Sequence, residues 1–314
     1  MLENITTGKV YRAQKILLYG IEKVGKSSLA AKFPAPLFLD VEQGTHQLDL
    51  HRLDIKTANE LDIAISRVVR EQHNYKTLVI DSVDWAEKLL ADRVLVENNW
   101  KSIEKPNYGK GFVVLREAFK RFLDHLDPVT SRGMHIVLIG HAQIRKYNPP
   151  ETSEGYDRWE LKLDKENTPR AKEWADAILF ANFETKIIES GGKTKGVGGH
   201  ERVIYTTNSA AYDAGNRYGL PEKIRMNIAD LAPLFEAAEV EKPAFVPNKE
   251  TVLQKEFEGL DHAQPTAFLV DRGQLQPNQS IFDIPDEYAH RIALDPTRFQ
   301  EAVRRYKQDV EVGA

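Results

Sequence analysis

Residues 16–28 read Ile16-Leu17-Leu18-Tyr19-Gly20-Ile21-Glu22-Lys23-Val24-Gly25-Lys26-Ser27-Ser28, and the fold follows from them. The apolar run from Ile16 to Tyr19 predicts a short buried strand. Gly20 to Ser27 then match the phosphate-binding pattern GxxxxGK[ST] at every fixed position. Glycine at positions 20 and 25 lets the backbone curl so that successive N–H groups converge, and a helix opening near Gly25 adds its positive end to this anion cradle. The cradle extends over Gly20, Ile21, Glu22, Lys23, Val24, Gly25, Lys26, Ser27 and Ser28. Lys26 is placed to reach the β- and γ-phosphates of a nucleotide, and the Ser27 hydroxyl to complete the coordination of a Mg²⁺ that keeps most of its water. The competing reading is a glycine turn with a chance lysine. The strand before it and the helical pattern after it (Leu29, Ala30, Ala31, Phe33) argue against that.

Working outward, the order of elements is that of an α/β protein. Leu37 to Glu42 predict a second strand ending in acids. Thr57 to His73 predict a helix with Thr57 and Glu60 in capping-box spacing, and Thr77 to Ser82 a third strand. Strand, helix, strand at these lengths implies a parallel sheet with right-handed crossovers. Trp85 to Val96 and Phe112 to Leu126 read as helices, the latter stopped by Pro128, and Met134 to Gly140 as a fourth strand. His141 to Lys172 is polar and interrupted by proline, so a mainly exposed loop is expected there. A fifth strand is expected over Ala177 to Phe183, and a hairpin of Thr185–Glu189 with Arg202–Thr206 around a glycine-rich tip.

From about Glu241 the texture changes to scattered Pro, Gln and Asn. This divides the chain into a core of residues 1–240 and an extension of residues 241–314, expected as a linker or loosely structured arm that ends in an amphipathic docking helix over Pro296 to Val310. That arm is a candidate site for a protein partner. The 314 residues carry a formal charge of -4, so any nucleic-acid contact has to come from a local patch. With no cysteine, disulfides, thiolate catalysis and cysteine metal sites are excluded. No stretch approaches the about 20 apolar residues of a membrane span and none reads as a signal peptide, so a cytoplasmic protein without membrane contact is expected.

Two acids end strands on the cradle side. Asp81 is the expected Mg²⁺ carboxylate, although the same residue would also serve as a helix N-cap. Glu42 faces the crevice beyond the carboxyl ends of the strands, where it can orient the attacking water; its alternative is a solvated turn carboxylate. Asp40 is expected to point away from that crevice.

With these residues in place, the chain resembles the RecA-type ATPase core through Gly-Ile-Glu-Lys-Val-Gly-Lys-Ser (20–27), Leu-Phe-Leu-Asp-Val-Glu (37–42), Leu-Val-Ile-Asp-Ser-Val (78–83) and Ile-Val-Leu-Ile-Gly-His-Ala-Gln (136–143). Through Asn107–Phe112 and Asn216–Pro221 it is similar to the phage nucleotide-binding proteins of that superfamily, implicated in single-strand annealing and recombination. The likeness covers roughly Lys15 to Phe235. It implies ATP and Mg²⁺ as cofactors, Glu42 as catalytic carboxylate, Asp81 as Mg²⁺ acid, and His141 or Gln143 as sensor of the γ-phosphate. It also implies a homo-oligomer in which Arg217 reaches a neighbour's nucleotide, although the usual Lys-x-Arg pair is here Gly215-Asn216-Arg217.

Single-stranded DNA is the expected partner. Trp100, Lys101, Lys105, Tyr108 and Lys110 interleave rings with cations, as base stacking plus backbone tracking requires, and Arg145 and Lys146 open a second loop. Solvated loops of this composition are the competing reading. A P-loop kinase for a small acceptor, and a nucleotide-dependent interaction switch with little turnover, are the alternatives to an ATPase acting on DNA.

Overall fold

The structure, a computed structural model, describes residues 12–150, 154–190, 193–236, 263–280, 283–284 and 299–306. Its contacts divide the chain into two units, Met1–Lys242 and Pro243–Ala314.

The first unit is a nine-stranded sheet with helices on both faces, in the order β3-β2-β4-β5-β1-β7-β8-β9, with β6 paired to β5. Strands β1 (Lys15–Gly20), β2 (Pro36–Asp40), β3 (His51–Asp54), β4 (Thr77–Asp81), β5 (His135–Tyr147) and β7 (Ala177–Ser190) run parallel. The strands β6 (Tyr156–Leu161), β8 (Lys193–Tyr205) and β9 (Lys223–Arg225) pair antiparallel.

The central strands are apolar without a break because both faces are covered. Leu17 and Tyr19 of β1, Leu78 and Ile80 of β4, and Ile136 and Leu138 of β5 face one core. That core is completed by α2 (Ala58–Arg70), α3 (Val83–Asn98) and α4 (Lys110–Ser131). The alternate residues Ile16, Leu18, Val79, Val137 and Ile139 face a second core, under α1 (Lys26–Ala30) and α6 (Ala232–Glu236); α5 (Asn167–Trp174) lies between β6 and β7 in the chain. One arm of the α2 capping box forms as its spacing predicts, Thr57 Oγ1 accepting from Glu60 N (3.1 Å), while Glu60 Oε2 accepts from Lys56 N (2.7 Å), one residue before the cap.

Several expectations are corrected. The segment 141–172 is not mainly loop: β5 runs on to Tyr147, pairs with β6, and is followed by α5. The expected fifth strand and the first arm of the hairpin are one strand, β7, with an irregularity between Phe183 and Thr185. Pro128 does not stop α4, which continues to Ser131. Its missing N–H removes one backbone bond near the carboxyl end of the helix without ending it.

In the second unit, α7 (Ala263–Asp271) and the helical residues 299–306 enclose a small core of Phe268, Leu269, Leu275 and Ile284, against which Phe299, Ala302, Val303 and Tyr306 pack. The predicted amphipathic face is therefore the buried one. A loosely structured arm does not describe these residues. Residues 241–262, and positions 296–298 and 307–310 of the predicted helix, lie outside the described residues.

Candidate nucleotide site

Register brings the predicted acids and the cradle to one edge. Gly20 is level with His141 on β5 and with Ala181 on β7, and Asp81 ends β4 level with Asp40 of β2. β5 lies between β1 and β4, so His141 stands between the cradle and the acid. Two glycines are required here. A side chain at position 20 would strike Ala181 O at 2.0 Å, and Gly25, at φ 103°, caps α1 in a left-handed conformation that L-residues adopt only at a cost. Ile21 and Val24 anchor the loop in the second core, while Glu22, Lys23 and Ser28 are exposed.

The functional groups converge. Lys26 is buried, and its Nζ donates to Gly20 O (3.1 Å) and Ile21 O (2.9 Å) across the loop. Burial lowers its pKa, against the opposing pull of Asp81, Asp84, Glu42 and Glu22. Asp81 is only 5% exposed. Burial pushes its carboxyl up to about 6, helped by the charges of Glu42 and Asp40 and opposed by a hydrogen bond from Ser27 and by Lys26. A buried, charge-starved carboxylate hydrogen-bonded to the P-loop serine is what a divalent cation would satisfy, so Ser27 and Asp81 fit as its protein ligands. With nucleotide, such a cation neutralises charge on the phosphates.

Glu42 is held from two sides. Val41 N and Glu42 N both donate to Asp81 O (2.7 and 3.0 Å), and Ser82 Oγ donates to Glu42 Oε2 (3.2 Å). Asp40 turns away into the core, where Gly44 N, Thr45 N and Thr45 Oγ1 donate to it; its role is to shape the turn after Glu42.

Of the two sensor candidates, the structure brings His141 to the acids. Its Nε2 is 3.7 Å from Glu42 Oε2, while its Nδ1 is 3.0 Å from Asp84 Oδ2, and Asp84 Oδ1 also accepts from His141 N (3.2 Å). The Asp84 hydrogen bond raises the His141 pKa in spite of burial. Burial pushes Asp84 up, but the bonds and charge of His141 outweigh it and hold the carboxyl below its usual value. Gln143, two residues farther out, instead accepts from Arg145 Nε and Nη2 (3.0 and 2.7 Å).

Ser82 and Asp84 are the residues that sequence reasoning missed. The signal was present in Asp81-Ser82-Val83-Asp84, because Asp84 lies in the first turn of the helix that opens directly after Asp81. A third omission is Arg202 of β8: a side chain at Gly25 would come within 2.7 Å of its Nη1.

The proposed DNA residues divide. Trp100 is half-buried, with its ring packed against the first core. Tyr108 is 104% exposed, and Lys101, Lys105 and Lys110 are exposed as well. Its left-handed backbone (φ 57°, ψ 28°) is uncommon for an aromatic residue. Arg116, early in α4, pairs with Asp164 (3.1 Å), whose N–H bonds Glu87 one turn after Asp84. Arg145 is tied to Leu163 O (2.6 Å), whereas Lys146 is exposed.

Arg217 lies at the opposite edge. Gly215 pairs with Ile178 and Tyr218 bonds Gln14, both at the amino ends of β7 and β1, so Arg217 stands away from its own chain's cradle. Asn216 closes the Asn-Arg-Tyr-Gly-Leu-Pro turn, accepting from Tyr218 N and Leu220 N.

Among curated proteins, none matches this chain. Among solved structures, the chain is similar to the flagellar accessory protein FlaH from Methanocaldococcus jannaschii, at 12% identity and a TM-score of 0.29, over 63% of this chain and 79% of that one. The profile of the AAA domain matches residues 12–218, the span that holds the cradle, Glu42, Asp81, Asp84 and His141. The chain belongs to the AAA domain family.

Proposed function

We propose that the chain is a Mg²⁺-dependent ATPase whose turnover is coupled to single-stranded DNA, of the kind used in phage-type recombination and annealing. The observation that carries the ATPase part is the convergence of Lys26, Ser27, Asp81, Glu42 and His141 at one edge of the sheet. In this reading Lys26 leaves its loop carbonyls for the phosphates. Glu42, fixed by Ser82, orients the attacking water, and His141, fixed by Asp84, links Glu42 to β5. The reaction needs little covalent chemistry from the protein beyond such positioning.

The DNA part is supported by an exposed Tyr108 in the same stretch of chain as the exposed Lys101, Lys105 and Lys110, the combination of π-face and cations that single strands require. Lys146 adds a cation on the β5–β6 ribbon. A homo-oligomer fits the same reading: Arg217, away from its own cradle, would serve only a neighbour's site. ATP turnover with and without single-stranded oligonucleotide tests both parts. Lys26→Ala should abolish nucleotide binding, and oligonucleotide should raise the wild-type rate. Unchanged ATP affinity in the mutant would refute the cradle assignment, and a rate indifferent to DNA would refute the coupling.

A further inference from the structure

The two strands that flank β1 both continue beyond it. β5 passes its His141 level by six residues to Tyr147, and β7 passes its Ala181 level by nine residues to Ser190; each is paired there with an antiparallel partner. The cradle thus lies between the roots of two ribbons. Arg202 sits at the root of the second, opposite Phe183, two residues beyond the level of Gly20. Its backbone is fixed in the ladder and accepts from Met226 N (3.2 Å). Its guanidinium extends to the loop, where a side chain at Gly25 would come within 2.7 Å of Nη1 and 3.8 Å of Cζ.

Two further observations separate this arginine from its neighbours. Among the described residues, the two cations of β9 are paired: Lys223 with Glu184 (2.6 Å) and Arg225 with Glu201 (3.6 Å). Arg202 makes no ion pair among the described residues. The site is also short of positive charge, since four carboxylates, Asp81, Asp84, Glu42 and Glu22, act on the single buried lysine. A nucleoside triphosphate entering there brings several more negative charges, which one lysine and one divalent cation leave partly uncompensated.

We infer that Arg202 is a phosphate-binding residue of the nucleotide site, supplied by the same chain from the root of the β7–β8 ribbon, and that it bonds the phosphate chain of the bound nucleotide. The inference rests on the cradle reading above and adds to it a cation from a distant part of the sequence. An arginine fork can bond two phosphate oxygens at once and is not replaced by lysine without loss. Because Arg202 belongs to the ribbon, phosphate occupancy also fixes the ribbon's root.

The test measures binding of ATP and of inorganic tripolyphosphate, each with Mg²⁺, to the wild-type full chain and to Arg202→Ala, Arg202→Lys and Lys26→Ala, with melting temperature as the check on folding. Arg202→Ala should weaken ATP and tripolyphosphate in the same proportion, by about tenfold or more, with an unchanged melt. Arg202→Lys should recover only part of the loss. ATP affinity equal to wild type in Arg202→Ala overturns the inference. Weaker ATP with tripolyphosphate spared also overturns it, because the residue would then contact the base or sugar. If instead Lys26→Ala binds as well as wild type, the cradle reading itself has failed, an outcome distinct from failure at Arg202 alone.

Discussion

Replacing Asp81 with asparagine should make the nucleotide-free protein more stable while destroying its use of Mg²⁺. The wild-type carboxyl titrates at about 6 in the folded chain against 3.8 when unperturbed. That difference of about two units, at 1.36 kcal/mol each, places an upper bound of about 3 kcal/mol on the cost of keeping the group ionised in its buried position. The folded state binds the proton more tightly, so this group's contribution to stability is fully present below pH 3.8 and is lost as pH rises through about 6. Asparagine keeps an acceptor for Ser27 and removes the repulsion from Glu42 and Asp40, but it also withdraws a charge that supports Lys26. The expected net gain at pH 8 is therefore about 1–3 kcal/mol, a rise in Tm of about 5 °C for a domain of this size. Thermal melts of both proteins in EDTA, at pH 8 and near pH 4, check it: the gain should be present at the first and gone at the second. A mutant no more stable than wild type at pH 8, or a gain of equal size at both pH values, would refute the reasoning. Added Mg-ATP should raise the wild-type Tm and leave the mutant's unchanged.

Glu42→Gln should bind ATP as wild type does but turn it over about 100-fold more slowly or worse, because a water-orienting carboxylate acts in the transition state; single-turnover kinetics would show it, and a wild-type rate would return Glu42 to a turn role. Tyr108→Ala should weaken single-strand binding by about 1–3 kcal/mol with no change in Tm. Trp100→Ala should instead lower Tm, since its ring packs on the core; oligonucleotide titrations beside melts separate the two. Buried His135, whose Nδ1 accepts from Gln14 N (3.1 Å), has its pKa lowered from 6.5 to about 4 by burial and by Lys76. Its contribution to stability is present above pH 6.5 and lost as pH falls toward 4, so His135→Gln should flatten that part of the pH–stability curve in urea titrations.

The sequence was most legible where local pattern and tertiary role coincide. β1, the cradle and α1 are contiguous, and β2 and β4 are apolar runs ending in acids, so both the elements and their carboxyl-edge meeting could be read directly. What escaped was decided by partners far along the chain. β3 has one apolar residue in four and is a strand only because β2 pairs with it. The outer half of β5 alternates Gln143, Ile144, Arg145 in a pattern that looked like loop until β6 supplied its hydrogen bonds. The packing of Trp100 on the core rests on contacts that spacing does not reveal. Arg202 was invisible for the same reason, as only the β7–β8 pairing carries it to Gly25.

The two ends of the main sheet set how copies of the chain can meet. On one side the last strand is His51-Arg52-Leu53-Asp54, and on the other Lys223-Ile224-Arg225. Each is too short to template a long run of intermolecular hydrogen bonds, and each carries charge that a docking strand would have to desolvate. Lys223 and Arg225 are also occupied by Glu184 and Glu201. Growth by adding strands is thus blocked at both ends. An oligomer of the proposed kind would then be built from side chains on loops and ribbons, contacts that could be broken and remade where a continuous sheet could not.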